Sequence, residues 1–96
     1  MYSVGEVAER LGVHWRTLHN WERAGLVSPA RAGGRRVYSE RDLGELRRAL
    51  FLTRAERFSP RAAAEIVRLE RRVAELESYL AEHERRHLTT AAAAAS

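Results

Sequence analysis

Apolar side chains recur along this chain at helical spacing in four stretches, and each break between them has a chemical cause. Val4, Val7, Ala8 and Leu11 fall at i, i+3, i+4 and i+7, one face of a first helix. Ser3 and Glu6 stand three apart before it, the spacing of a capping box in which each side chain satisfies an orphan amide. Gly12 stops that helix, because glycine takes the left-handed conformation at little cost. Leu18 and Trp21 predict a second helix from about Trp15 to Ala24, with Glu22 and Gly25 also on the side facing the first. Only Gly12-Val13-His14 joins the two, which predicts a helix-turn-helix, although any pair of packed helices shares that outline. The Gly33-Gly34 pair between short β-prone flanks predicts a hairpin. Ser39 to Asp42 caps a third helix that buries Leu43, Leu46, Ala49 and Leu50 and turns Arg47 and Arg48 outward.

Ser59 as cap and Pro60 at the first helical position open the fourth stretch. No Gly or Pro interrupts it to about Leu88, and Ile66, Leu69, Val73, Leu76 and Leu80 alternate spacings of three and four, the seam of a coiled coil. A head of about 60 residues is marginally stable alone and too small to cover the whole seam. The first turn or two can pack on that head; the distal half predicts self-association. The expected class is all-α with a small β-hairpin wing. Residues 1–58 form a winged helix-turn-helix head, 59–88 a dimerisation helix, and 89–96, with their run of alanines, a disordered tail or linker.

Charge sharpens this outline. All 17 basic residues are Arg, and residues 1–38 hold six of them against three acids, whereas residues 59–96 hold six of each. An excess at one end suits an electrostatic footprint on a polyanion, though a solvated basic surface has the same composition. The outer side of the second helix carries Arg16, His19, Asn20 and Arg23 as one contiguous, acid-free strip. Arg can bond guanine bidentately, Asn can do so with adenine, and His can meet a base edge or a phosphate. Trp15 lies beside the strip, where it can touch sugar–phosphate or cover Leu18. Arg35 and Arg36 on the hairpin would grip backbone or minor groove while the helix enters the major groove. The absence of cysteine excludes disulfides, thiolate zinc sites, iron–sulfur clusters and thiol redox sensing. There is no apolar run of membrane-spanning length and no secretory pattern at Met1 to Glu6, so a cytoplasmic, nucleoid-associated protein is expected.

Several stretches together resemble the MerR family of bacterial regulators: Tyr2 to Ala8, Thr17-Leu18, Trp21 to Leu26, Pro29 to Arg31, and Arg36 to Leu43. The wing and the Glu-Leu-rich coil are similar to the heat-shock repressor subgroup, and Trp21-Glu22-Arg23 to light- or cobalamin-responsive members. The resemblance implies a second helix in the major groove, a wing arginine at minor groove or backbone, and a dimer. Carried onto matching positions it assigns DNA contact to Arg16, His19, Asn20, Arg36 and Tyr38, with Thr17 in the matching stretch. The family commonly has Arg-Tyr-Tyr where this chain has His19-Asn20-Trp21, so the contacted bases differ. His14 replaces the usual Ser, Thr or Asp cap, which predicts a cap weaker by ~1 kcal/mol.

With Ile66 at heptad position a, the e positions are Glu70, Glu77 and Glu84, and Arg72 and Arg86 are at g. Parallel pairing brings Arg72 to Glu77 of the partner; the antiparallel pairing that the resemblance implies sets acid near acid. An antiparallel pair of helices ~23 residues long separates the heads by ~35 Å, close to one turn of DNA, which suits an inverted repeat. His83-Glu84-Arg85-Arg86-His87 matches the H-E-x-x-H zinc-protease pattern, but no third ligand follows it and an enzyme is not expected. The reading is a homodimeric regulator of double-stranded promoter DNA, without cofactor or metal, beside RNA polymerase as a candidate partner and with no effector-binding segment evident. The alternatives are an architectural, excisionase-like DNA-bending protein, the DNA-binding portion of a larger sensor, or an adaptor whose head binds no DNA.

Overall fold

The computed structural model describes residues 1–95. In chain order these form β1 (Tyr2–Ser3), α1 (Val4–Leu11), α2 (Trp15–Arg23), β2 (Ala30–Ala32), β3 (Arg35–Tyr38), α3 (Glu40–Arg54) and α4 (Pro60–Ala95). Each boundary has a local cause. The Ser3 hydroxyl accepts from the Glu6 amide at 3.2 Å and the Glu6 carboxylate accepts from the Ser3 amide at 3.1 Å, closing the box at the start of α1. Gly12 ends α1 at φ 65°. His14 does cap α2: its Nδ1 accepts from the Arg16 amide at 3.1 Å. Ser39 and Asp42 repeat the reciprocal box at α3, with bonds of 2.9 and 3.0 Å.

The hairpin turns on Gly33 and Gly34, whose φ values of 58° and 78° are both positive, as the tight turn matching strand twist demands. It sets Ala32 opposite Arg35 and Arg31 opposite Arg36. The sheet has a third strand that apolar patterning did not predict: β1 pairs antiparallel with β3, Tyr2 opposite Tyr38, in the order β1-β3-β2. Two residues are too few to display an alternating pattern.

One core joins every helix of the head to the foot of α4. Val7, Leu11, Leu18, Trp21, Leu26, Leu43, Leu46 and Ala49 are buried together with Ala63, Ala64 and Val67. In α3, Leu43, Leu46 and Ala49 are buried as predicted, but Leu52 completes that face and Leu50 is only partly buried. The foot of α4 is also bonded to the head. The Trp21 indole donates to the Pro60 carbonyl at 3.3 Å. Arg71 donates to the Leu26 carbonyl at 2.6 Å and pairs with Glu45 at 3.0 Å. Arg48 binds Glu70 through both Nε and Nη2, at 3.1 and 3.0 Å. Glu75, one turn further on, still pairs with Arg41 of α3 at 3.8 Å, and beyond it α4 leaves the head as a rod. Its 36 residues run through the alanines to Ala95, where the sequence predicted a tail; alanine is the strongest helix former and nothing in the run breaks the ladder. The predicted tail's last residue, Ser96, lies outside the described residues.

The predicted seam divides accordingly. Ile66 packs partly against the head. Leu69, Val73, Leu76 and Leu80 remain about half exposed on one side of the rod.

Candidate nucleic-acid interface

The outer side of α2 and the inner side of the wing form one concave surface. Trp15, Arg16, His19, Asn20 and Arg23 line it from α2, and Arg36 closes it from β3. Arg16, Asn20 and Arg23 are exposed and His19 is half-buried, because Leu18 and Trp21 occupy the opposite side in the core. The 3.6-residue repeat therefore dictates that this strip faces outward. A second hollow brings Trp15 and His19 to Arg31, Arg35 and Arg36 of the wing and to Ser3, Val4 and Gly5 at the start of α1.

Trp15 organises the strip. Its ring meets His19 edge-on at 5.0 Å between centroids, and the Arg16 guanidinium lies 5.4 Å from its centre. These contacts restrict two long or rotatable side chains before any ligand arrives, which lowers the ordering cost of binding. Arg23 donates to the Asn20 side-chain oxygen, so Asn20 keeps its amide donors outward while its acceptor is already engaged. An adenine edge needs both, hence it must compete with Arg23 for that oxygen.

Glu22 lies on this surface, not toward α1 as predicted. Its carboxylate accepts from Arg36 Nε at 2.6 Å, and the two side chains are 24% and 27% exposed. The wing explains the departure. Arg31 and Arg36 are cross-strand partners, so their side chains leave the sheet on the same face, and like charges directly opposite repel. Glu22 offsets that repulsion and fixes the wing against α2. The bond uses only Nε of Arg36; its two terminal nitrogens have no protein partner among the described residues. Arg31, whose Nη1 donates to the Gly34 carbonyl at 3.4 Å, belongs to the same basic edge. Sequence reasoning passed over Arg31 as a site residue, and the signal was its position across the Gly-Gly turn from Arg36.

Two predicted contacts fall elsewhere. Tyr38 is fully buried, and its hydroxyl has no hydrogen-bond partner among the described residues. The side chain alternates to the core face of β3, one residue on from Val37, and cannot reach DNA from there. Burial pushes its phenol up from the usual tyrosine value, with the Glu22 carboxylate adding to the effect. Thr17 is half-buried on the side of α2 turned away from the wing and does not line the surface. The H-E-x-x-H pattern lies far along α4, with His83 and His87 exposed on a bare rod. Among the described residues no group of three or more His, Cys, Asp or Glu could hold a metal. No helix among them is long and apolar enough to cross a membrane.

Comparison with known proteins agrees with this geometry. Residues 2–70 match the family described as MerR HTH family regulatory protein. A protein of Streptomyces coelicolor named heat shock protein HspR is 40% identical over 83 residues, covering 85% of this chain and 55% of the relative. The HTH-type transcriptional activator TipA of Streptomyces coelicolor and that of Streptomyces lividans are each 46% identical over 52 residues, covering 52% of this chain and 21% of the relative. The chain thus spans about half the length of the first relative and a fifth of the others. No solved structure matches it. With its family model, its relatives and its winged head in accord, the chain belongs to the MerR HTH family of DNA-binding transcriptional regulators.

Proposed function

We propose that two copies of this chain pair through α4 and bind an inverted-repeat site in promoter DNA. Arg16, His19 and Asn20 read or position on the major groove, with Arg23 at their edge and Trp15 bracing them. Arg35 and Arg36 hold the flanking backbone and minor groove. The observation that carries this reading is the exposed strip of α2 sharing one concave surface with Arg36 of the wing.

Pairing rests on the row Leu69, Val73, Leu76 and Leu80, which the head leaves uncovered. Each such side chain contributes ~1.5–3 kcal/mol when fully buried, an upper bound that four per copy make ample for a dimer. The antiparallel arrangement suits a two-headed regulator, and one objection to it weakens. Glu70, which would face acid across that seam, is already held bidentately by Arg48 of its own head. Likeness to a protein named for heat shock makes promoters of heat-shock genes the first DNA to test.

A footprint of the purified protein should show one protected palindrome with half-sites about one helical turn apart; a run of direct repeats would point to a DNA-bending role. In mobility shifts across salt concentrations, Arg36→Ala should weaken binding and reduce the slope of log K against log salt by ~0.9, one phosphate contact. Unchanged affinity and slope would remove the wing from the interface.

A further inference from the structure

The heptad register that begins at Ile66 does not end with Leu80. Counting on from Leu80 at position a, His83 falls at d and His87 at the next a. The row of apolar side chains on the rod therefore closes with two imidazoles on the same face. They are four residues apart in an unbroken helix, which stacks them one turn over the other. Both are exposed, and neither has a hydrogen bond or ion pair to the protein among the described residues; His83 only lies parallel to the Tyr79 ring, 6.4 Å away. Two of the nearby cations are held by one acid. Glu82 takes both Arg85 and Arg86, the latter at 3.2 Å.

Two neutral imidazoles at this spacing form a bidentate chelate for a borderline divalent cation such as copper(II), nickel(II) or zinc(II). We infer that His83 and His87 form a transition-metal site at the distal end of α4, filled by two nitrogens from one chain and completed by water. The same two residues that cannot build a protease, for want of a third ligand and a cleft, suffice for this. A cation there ties consecutive turns of the helix together and holds the end of the seam in helical form, since whatever binds only the folded helix stabilises it. Both ligands come from one α4, so the site needs no residue of the DNA-reading surface and no ligand from a second copy.

The test is calorimetric titration of the full chain with copper(II), nickel(II), zinc(II) and magnesium salts, beside His83→Ala, His87→Ala and the double variant. The expected result is one metal per chain, affinity falling from copper to nickel and zinc, and no magnesium binding, because imidazole does not suit that hard ion. Either single variant should bind nickel at least tenfold more weakly, with helix content unchanged. Zinc or nickel should also raise the thermal midpoint of helix loss in the wild type and not in the double variant. Equal affinity of the wild type and the double variant, whether both bind or neither does, would overturn the assignment.

Discussion

Tyr38 and Glu22 show how far one side chain's task depends on what lies across from it. The Tyr38 hydroxyl sits in the core without a partner, and a buried unsatisfied polar group costs about 1–3 kcal/mol. Tyr38→Phe removes that group at nearly constant volume. It should stabilise the head by about 1 kcal/mol in urea unfolding and leave DNA affinity unchanged; weakened DNA binding would restore the tyrosine to the interface. The sign with pH follows from the raised phenol. A folded value above the ordinary 10.0 means that its contribution is complete below that pH and is lost as pH rises through the folded value. The phenylalanine variant should lack that alkaline loss. Glu22 holds Nε of Arg36 and leaves its terminal nitrogens to a phosphate. In Glu22→Gln that guanidinium loses its brace but keeps the same phosphate, so DNA affinity should fall at an unchanged salt slope; a slope steeper by ~0.9 would show that Glu22 competes with the phosphate. Helical periodicity placed Arg16, Asn20 and Arg23 outward correctly, because one helix decides that question. It misplaced Glu22, and the resemblance misplaced Tyr38, because their surroundings come from the wing, whose position relative to α2 no spacing along the chain encodes.

At the level of elements, capping chemistry was the most legible part. Ser3 with Glu6, Ser39 with Asp42, and Ser59 before Pro60 each open a helix where the residue types predict one, and Ser59 Oγ accepts from the Ala62 amide at 3.1 Å. Helix ends were less so. The end of α3 has no glycine: Arg57 takes the left-handed conformation at φ 59°, and Phe58 donates back to the Leu52 carbonyl at 3.0 Å. The alanine run of α4 has no apolar–polar alternation to read, yet it needs none to stay helical. The seam of α4 provides the element-scale prediction. Leu76 is 45% exposed and touches no core residue, so Leu76→Glu should leave the head folded. In a two-fold pair it removes two buried leucines, ~3–6 kcal/mol, and should weaken association by ~10²–10⁴-fold in sedimentation. A variant that still dimerises at the wild-type concentration would place the interface elsewhere.

For the whole molecule, the separation of two heads is the quantity that matters. The chain measures 61 Å along its longest axis, most of it rod. If the paired rod sets that separation, the two recognition helices fit half-sites at one spacing and one helical phase only. Inserting five base pairs, about half a turn of DNA, between the half-sites should cut affinity at least tenfold, close to that of an isolated half-site. Retained affinity would mean that the heads move independently of the rod.

The Trp21 indole and the Pro60 carbonyl join the helix that carries the reading strip directly to the first residue of α4. In the proposed pair such a joint would make the two copies a caliper: a tilt of about 10° at the foot of a rod ~54 Å long moves its tip by ~9 Å. Anything that altered how the far ends of the paired rods meet would thereby be felt as a change of jaw width at the DNA, up to ~54 Å from the place where it acts.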